Sequence, residues 1–375
     1  MNVLRKIEDI AEIVSGFAFN EQYQGRADLP IPFIKVSDFA AGINSWLSTS
    51  NNTVDAHVLT KMRARTYPQG TIVFPKVGGA LLTNKRARLA VAAAMDNNVM
   101  GLIPREVDGD YLYYFMCQFD MKTIANSQAL PSIRASDVAK IELPVPTLDV
   151  QRKVSATLKK QIGAIDLARQ AARTQLREIS SLAGAIVIDT IRNSPSKPYL
   201  LGDVLDEVKQ GIGASWADHP VLGATREGLA PAKEQPGKMA PKYKPVTPGT
   251  VFYNPMRILI GSIAFVDDDD ASGITSPDYV ALRGKPGLVD SRWFYYWLRS
   301  HLGAQCILSL ARGAVRERML FNRLADGKID LPSPEAQEKA SRALRELKPL
   351  QRALKSKLAE IDLLPQKILA QAFEM

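Results

Sequence analysis

The chain has 375 residues, of which 46% are hydrophobic and 23% charged, a composition that is typical of globular proteins and excludes wholesale disorder. Its two cysteines, Cys117 and Cys306, stand far apart without partners at ligand spacing, which excludes a disulfide framework or zinc site and fits a reducing cytoplasm. No apolar run approaches the ~18 residues of a membrane span, and the net charge of +9 permits nucleic acid as a partner without proving it.

The first half predicts a mixed α/β domain. Residues 7–14 predict a short helix or strand that leads into a loop at Gly16. The segment PQGTIVFPK from Pro68 predicts a buried strand after a Gly-Thr turn, and YLYYFM from Tyr111 predicts an aromatic helix in a core. The segment KIELPVP from Lys140 closes the domain.

The second half repeats these segments in the same order. They are LGDVLDEVKQGIGAS from Leu201, TPGTVFYNP from Thr247, WFYYWL from Trp293 and KIDLPSP from Lys328. Because four similar segments recur in one order, the sequence indicates an internal duplication.

A long amphipathic helix is predicted after each domain. Leu176 begins LREISSLAGAIVIDTI, and Leu358, 182 positions later, begins LAEIDLLPQKILAQAF. Their hydrophobic residues recur about every 3.5 residues, the period of a seam against a partner helix, and the obvious partner is the other copy. The predicted packing residues are Leu158, Ile165, Leu176, Ile179, Leu182, Ile186, Leu347, Leu354, Leu358, Ile361, Leu364 and Ile368. A simple helical hairpin or an oligomerisation coil is the alternative interpretation.

These elements predict an α+β protein. Two duplicated mixed α/β domains would be joined by two long helices packed as an antiparallel coiled coil, with an approximate two-fold axis between the halves. The expected boundaries are 1–146 for the first domain, 147–196 for the first long helix and return loop, 197–334 for the second domain, and 335–375 for the second long helix.

Catalytic motifs are weak or absent from the sequence. The segment YNPMR around Asn254 lacks the second proline and the aromatic residue of an amino-methyltransferase loop. Asp326 and Lys328 match half of a nuclease motif, but the nearest Pro-Asp pair lies far upstream, and no Walker sequence is present. We therefore expect no enzymatic activity and no metal or cofactor in this chain.

The acidic run Asp267–Asp270 is interpreted as a solvated hairpin tip. A cation site is the less favoured alternative, because hard-cation sites normally alternate their ligands with spacers and a glycine.

Basic clusters occur in both halves. In the first, Lys61, Arg63 and Arg65 alternate as on one face of a strand. Arginine and lysine on loops supply phosphate contacts and guanine readout in the major groove. Each cluster alone also fits a solvated face, but recurrence in both halves favours nucleic-acid binding.

The arrangement resembles the specificity subunits of Type I restriction-modification enzymes over essentially the whole chain. The resemblance rests on KIELPVP and KIDLPSP with Gln151 and Gln337 downstream, on LPQKILAQAF, and on VSGFAF followed by IPFIKVSDF. It implies two target-recognition domains that each read one half of a split double-stranded DNA sequence, with the paired helices setting the gap, in defence against foreign DNA. It also implies two methyltransferase subunits and restriction/translocase subunits as partners, which would carry catalysis and hold S-adenosylmethionine, ATP and Mg.

DNA contacts are predicted by position in both domains. The candidates are Lys35, Ser37, Lys76, Lys85, Arg86, Arg88 and Arg134 in the first domain, and Arg226, Lys242, Lys244, Arg257, Arg312, Arg316 and Arg318 in the second. Two other functions stay open: a protein-interaction scaffold, and the separate specificity subunit of a Type II restriction system.

Overall fold

The computed structural model describes residues 3–40, 42–126, 129–234, 236–237, 239–311 and 318–374. The chain divides into two compact units, which are Met1–Ala172 with Lys357–Met375, and Arg173–Ser356. Within the described ranges, no helix combines the length and apolar character needed to cross a membrane.

The first unit contains the strands and short helices of the first half and the start of a long helix. Its elements are β1 (Val3–Lys6), α1 (Ile7–Ile10), β2 (Ala11–Ser15), β3 (Ile31–Ile34), β4 (Trp46–Leu47), β5 (Thr53–Val54), α2 (Ala56–Lys61), β6 (Ile72–Pro75), β7 (Ala87–Leu89), β8 (Ala94–Met95), β9 (Val99–Pro104), α3 (Gly109–Gln118), α4 (Ala135–Ala139), β10 (Glu142–Val145) and α5 (Leu148–Arg192), which continues into the second unit.

The described strands of the first unit form one larger sheet in the order β2-β9-β6-β7-β4, a sheet β5-β3-β8, and the antiparallel pair β1-β10. The strand predicted from GTIVFP is confirmed as β6, which is buried along its whole length. The aromatic helix is confirmed as α3, whose residues Tyr111–Cys117 are all buried. These apolar segments form one core with the start of α5.

The second unit contains the strands and helices of the second half, in an order close to that of the first unit. They are β11 (Ser196–Leu200), α6 (Leu201–Val204), β12 (Leu205–Glu207), β13 (Leu222–Thr225), β14 (Gly228–Pro231), β15 (Lys244–Val246), β16 (Val251–Tyr253), β17 (Ile263–Phe265), β18 (Gly273–Thr275), β19 (Val280–Gly284), α7 (Ser291–Arg299), α8 (His301–Leu310), α9 (Phe321–Leu324), β20 (Lys328–Pro332) and α10 (Pro334–Phe373), whose last part belongs to the first unit.

The strand order confirms the duplication. In the second unit the order β12-β19-β16-β17 matches β2-β9-β6-β7 of the first, and β11-β20 matches β1-β10. The strand predicted from GTVFY is β16, which is fully buried, and the helix predicted from WFYYWL is α7. The mixed α/β character of both halves is therefore confirmed.

The two long helices pack antiparallel within each unit. In the first unit Val154 shares a groove with Ala372, and Arg169 Nε donates to Asp362 Oδ1 at 2.6 Å. In the second unit, residues 176–180 of α5 share a cavity with residues 351–355 of α10, whereas residues 189–194 lie beside Ala336. Residue numbers thus rise along one helix as they fall along the other.

The seam differs in part from the predicted one. Leu158, Ile165, Leu347 and Ile361 are buried, and Leu176, Ile179, Ile186, Leu354, Leu358 and Ile368 are half-buried. Leu182 and Leu364, however, are 49% and 39% exposed. The side chains one and five positions further on are buried instead: Ala183 and Val187 on α5, and Pro365 and Leu369 on α10. A side chain of the repeat thus turns to the outer face at the same place in both copies.

A buried glutamine joins each domain to its long helix. Gln151 Oε1 accepts from the backbone N–H of Asp108 at 2.8 Å, and its Nε2 donates to the Pro146 carbonyl at 2.7 Å. Asp108 itself caps α3 by accepting from the backbone N–H of Tyr111. The same glutamine therefore fixes the aromatic helix, the end of β10 and the start of α5.

The second unit repeats this joint with Gln337. Its Oε1 accepts from the backbone N–H of Asp290 at 2.9 Å, and its Nε2 donates to the carbonyls of Leu288 and Pro332, both at 2.9 Å. Asp290 caps α7 through the backbone N–H of Trp293. Gln151 and Gln337 are both 1% exposed, so the two joints agree in burial, and they differ only by the additional bond of Gln337 to Leu288.

Candidate nucleic-acid interface

Two equivalent loops leave the buried central strands. Loop A, residues 76–84, follows β6, and loop B, residues 254–261, follows β16. Each contains a short 3-10 helix anchored by a buried residue, Leu81 in loop A and Ile258 in loop B. Each ends in the left-handed conformation, at Asn84 (φ 50°) and Gly261 (φ 84°), a region that asparagine and glycine tolerate.

Each loop is held against the segment that precedes the closing strand of its domain. In the first unit the backbone N–H of Ile133 donates to the Lys76 carbonyl at 3.0 Å, and in the second the N–H of Met319 donates to the Pro255 carbonyl at 3.0 Å. Ile133 and Met319 are both buried. The repeated bond therefore brings Lys76 close to Arg134.

The segment after β3 reaches the same region of the first unit. The backbone N–H of Asp96 donates to the Ile34 carbonyl at 2.8 Å, and that of Lys76 donates to the Asn98 carbonyl at 2.9 Å. Lys35 and Lys76 thus flank one turn. Lys35 is half-buried and its Nζ donates to Gln24 Oε1 at 2.7 Å, while Ser37 and Arg134 are exposed.

The motif glycine before this region is required by close backbone packing. The N–H of Phe17, which follows Gly16, donates to the Met95 carbonyl at 2.8 Å. A Cβ at Gly16 would overlap the carbonyl oxygen of Asp96, so a larger residue cannot be placed without moving the turn. In the second unit, a Cβ at Gly211 would overlap the Pro241 carbonyl oxygen in the same way.

Arg86 and Arg88 are structural in this fold. They are 2% and 3% exposed. Arg88 lies on β7, a strand that is covered on both sides, and Arg86 directly precedes β7. The guanidinium of Arg88 lies between the rings of Trp46 and Tyr113, 4.2 and 4.0 Å from their centroids, and pairs with Asp110. Such burial argues against DNA contact by either side chain. Contact of Arg86 and Arg88 with DNA remains a prediction from the sequence.

Arg86 and the neighbouring Lys85 form hydrogen bonds within the protein itself. Burial lowers the pKa of Arg86 to about 10, and its Nη1 donates to the Lys85 carbonyl at 3.0 Å. Lys85 is half-buried, with its Nζ donating to the Phe39 carbonyl at 3.0 Å. The expected strand pattern at Lys61, Arg63 and Arg65 does not form: Lys61 ends α2 and Arg63 has a φ of 52°.

In the second unit three predicted arginines surround loop B. Arg257 lies within the loop and is exposed. Arg226, in the turn of the β13-β14 hairpin, is exposed and its Nε donates to the Ile260 carbonyl at 3.1 Å. Arg318 precedes Met319, is 48% exposed, and pairs with Asp278 at 2.9 Å. Arg312 and Arg316 lie outside the described residues.

Lys244 lies on a different sheet of the second unit, and Lys242 lies in the 3-10 helix that precedes its strand. Lys242 is exposed at the end of a short 3-10 helix, and Lys244 starts β15, which pairs with β18. The Nζ of Lys244 donates to the Tyr279 carbonyl at 2.7 Å, and burial lowers the pKa of its ammonium.

Arg299 is a positioning residue that the sequence did not single out. Its Nη2 donates to the Arg226 carbonyl at 2.6 Å, and its Nη1 donates to the carbonyls of Gly261 and Ile263 at 3.2 and 3.0 Å. One side chain at the end of α7 thus ties the β13-β14 turn to the end of loop B. Nothing in the local sequence distinguishes it from a solvated helix-terminal arginine.

The acidic run is not a solvated hairpin tip. Asp267 is 4% exposed and pairs with Arg292 of α7. Asp270 accepts from Lys348 at 2.9 Å and from Arg352 at 2.7 Å, both on α10, so the turn is bonded to helices at both ends. The solvated interpretation was wrong because the compensating cations lie distant in sequence. Among the described residues, no group of carboxylate, histidine and cysteine side chains is arranged to hold a metal ion.

Comparisons with known proteins agree with this architecture. Residues 2–177 match the family described as the Type I restriction modification DNA specificity domain. The first half of the chain therefore carries such a domain, and the family resemblance found in the sequence is confirmed.

One curated relative is the Type I restriction enzyme MjaIX specificity subunit of Methanocaldococcus jannaschii, which is 25% identical over 167 residues. That match covers 41% of this chain and 36% of the relative, so the chain spans only about a third of the relative it matches.

Two solved structures share the fold over nearly the whole chain. One describes complex assembly and conformational transition of a type I R-M system, with a TM-score of 0.65, 16% identity, and coverage of 99% of this chain and 97% of that one. The other is the S subunit of a Type-I restriction-modification system from M. genitalium, with a TM-score of 0.53, 14% identity, and coverage of 100% and 96%.

Proposed function

We propose that this chain is the non-catalytic specificity subunit of a Type I restriction-modification enzyme and reads a bipartite double-stranded DNA sequence. The observation that supports this most strongly is the repeated frame, in which loops A and B share three backbone hydrogen bonds but carry different side chains at their tips. Two such domains in one chain suit two different half-sites.

Exposed polar groups around the two loops are the proposed DNA contacts. In the first unit they are Ser37 and Arg134, together with the half-buried Lys76, and in the second Arg226, Arg257 and Arg318. Contacts with phosphates would set the position of each domain, whereas contacts with base edges would select the sequence.

The catalytic steps would belong to partner subunits. We assign two methyltransferase subunits and restriction/translocase subunits as partners, which would hold S-adenosylmethionine, ATP and Mg. The complex would act on DNA in the cytoplasm.

Methylation mapping tests the proposal directly. DNA from cells that co-express this chain with its cognate methyltransferase is sequenced by long reads and compared with DNA from cells that express the methyltransferase alone. A split motif methylated only when this chain is present is expected. If the two proteins copurify and no such motif appears in the DNA of the cells that co-express them, the specificity function is refuted.

The salt dependence of binding tests the proposed contacts of the second unit. Replacing Arg226 and Arg257 by alanine should reduce the slope of log affinity against log salt by about two, because each lost phosphate contact removes close to one unit. The matched control is Lys159→Ala, which removes an exposed charge from α5. Equal slopes for the wild type and the double variant would show that neither arginine contacts a DNA phosphate.

A further inference from the structure

Loop B exposes three large apolar side chains. Met256 is 58% exposed, and Leu259 and Ile260 are each 55% exposed, whereas Ile258 between them is 3% exposed and anchors the loop. Single exposed apolar residues are ordinary, but three within five positions form a contact surface.

The rim of this surface is positively charged. Arg257 lies inside the loop, Arg226 donates to the carbonyl of Ile260, and Arg318 adjoins Met319, which is bonded to the loop at Pro255. Three exposed guanidinium groups around an apolar tip are complementary to a polyanion that also presents apolar groups. DNA fits that description, because thymine carries a methyl group at the floor of the major groove.

The loop is rigidly positioned. Arg299 ties its last residue to the β13-β14 turn, and Ser262 Oγ donates to the Ala224 carbonyl at 2.6 Å directly after it. At its other end the Pro255 carbonyl accepts from Met319. Side chains on a loop fixed at both ends lose little freedom on binding, which favours selective contact.

The two loops differ in their tips. Aligned on the buried anchors and on the left-handed residues Asn84 and Gly261, loop A has glycine, alanine, leucine and threonine where loop B has methionine, arginine, leucine and isoleucine. These pairs are Gly79 and Met256, Ala80 and Arg257, Leu82 and Leu259, and Thr83 and Ile260. The frame is kept while the tip changes, which is what readout of two different sequences requires.

We propose that Met256, Leu259 and Ile260 read thymine by contact with its 5-methyl group in the half-site of the second unit. This inference rests on the proposed function and adds a chemical basis for selectivity. Apolar contact with the thymine methyl is one of the direct means of base readout in the major groove.

The test uses the full chain with its methyltransferase partner. Selection from a randomised duplex library first identifies the two half-sites. Each thymine is then replaced in turn by deoxyuridine, which lacks only the methyl group. The wild type is expected to lose about fourfold in affinity for each methyl group that loop B buries, at one or more positions of one half-site.

The variant Met256→Gly with Ile260→Thr, which gives loop B residues from loop A and keeps only Leu259 of the three apolar side chains, should lose less affinity than the wild type when uracil replaces thymine. Ile260→Thr alone provides a milder change at an exposed position. Leu82→Ala in loop A is the matched control. It should leave the uracil effect in the half-site of the second unit unchanged.

Three results overturn the proposal while leaving the specificity function intact: a half-site without thymine, a wild type indifferent to uracil, or a double variant that keeps the full uracil effect. A double variant that loses its methyltransferase but selects the same DNA would also overturn it, by assigning the tip to protein contact. Failure of the wild type to select any split sequence refutes the proposed function itself.

Discussion

The two units use one backbone frame but opposite charges to fasten their aromatic helices. In the first unit Asp110 on α3 pairs with Arg88 on β7, and in the second Arg292 on α7 pairs with Asp267 after β17. The helix is acidic in one unit and basic in the other. Strand and helix have therefore diverged together within each unit, so each helix suits only its own sheet.

The turn that follows β7 in the first unit and β17 in the second shows the same contrast. By strand register, Ala90–Ala93 of the first unit correspond to Asp267–Asp270 of the second. Three alanines and Val91, all uncharged, thus stand where the second unit has a turn that makes ion pairs with α7 and α10. The comparison teaches that the frame depends on backbone bonds and apolar packing, whereas the polar fastenings vary.

The largest expected effect comes from removing the centre of the second unit's network. Asp267→Ala leaves Arg292 and Lys348, whose side chains are only 11% and 19% exposed, with one fewer carboxylate. We expect the free energy of unfolding of the second unit to fall by about 3 kcal/mol, as when a buried pair loses one partner. Hydrogen exchange read by mass spectrometry reports each unit separately and should show little change in the first.

The control for this variant is Asp28→Ala, which removes an exposed carboxylate that pairs with Arg26 at 2.6 Å. Exposed pairs contribute little, so exchange in both units should stay at wild-type rates. Equal loss of protection in the two variants would show that the network of the second unit is no more than a surface ion pair.

The second prediction concerns what the two units share. Gln151→Leu and Gln337→Leu should each lower the free energy of unfolding of their own unit by about 2 kcal/mol, because the first leaves a backbone N–H and one carbonyl without their glutamine partner and the second a backbone N–H and two carbonyls. Hydrogen exchange at the start of α3 and α7 measures the loss. A large difference between the two variants would contradict the equivalence of the joints.

The smallest expected effect is a difference in acid sensitivity. Hydrogen bonds from Lys348 and then Arg352 lower the pKa of Asp269 to about 2, below the unfolded value near 4. A carboxylate with a lowered folded pKa stabilises the fold at pH above about 4, and that contribution is lost as the pH falls toward 2. Hydrogen exchange between pH 5 and 2.5 should therefore show the second unit loosening more in the wild type than in Lys348→Met. Identical pH profiles would place the stabilisation elsewhere.

The sequence predicted the features that depend on local pattern. The duplication, the buried strands β6 and β16, the aromatic helices and the long helix pair all follow from periodicity and from repeated segments. The environment of charged residues could not be predicted in this way. Arg88 is enclosed by Trp46 and Tyr113, which lie 42 positions before it and 25 after it, and no local pattern brings these together.

The same limit explains the helix seam. A hydrophobic repeat of about 3.5 residues fixes which stripe of a helix is apolar, but it does not decide which leucine at the edge of the stripe faces outward. Leu182 and Leu364 occupy that edge in both copies. The orientation depends on how each domain packs against the helix, which local spacing does not encode.

The glutamine joints carry a consequence for how such a chain can change over generations. Gln151 bonds to the main chain of its domain, at the N–H of Asp108 and the carbonyl of Pro146, and Gln337 does the same at Asp290, Leu288 and Pro332. Main-chain atoms are alike in every sequence. A domain can therefore be replaced whole by gene recombination, or its surface residues can change by mutation, while the glutamine joint to the long helix stays the same.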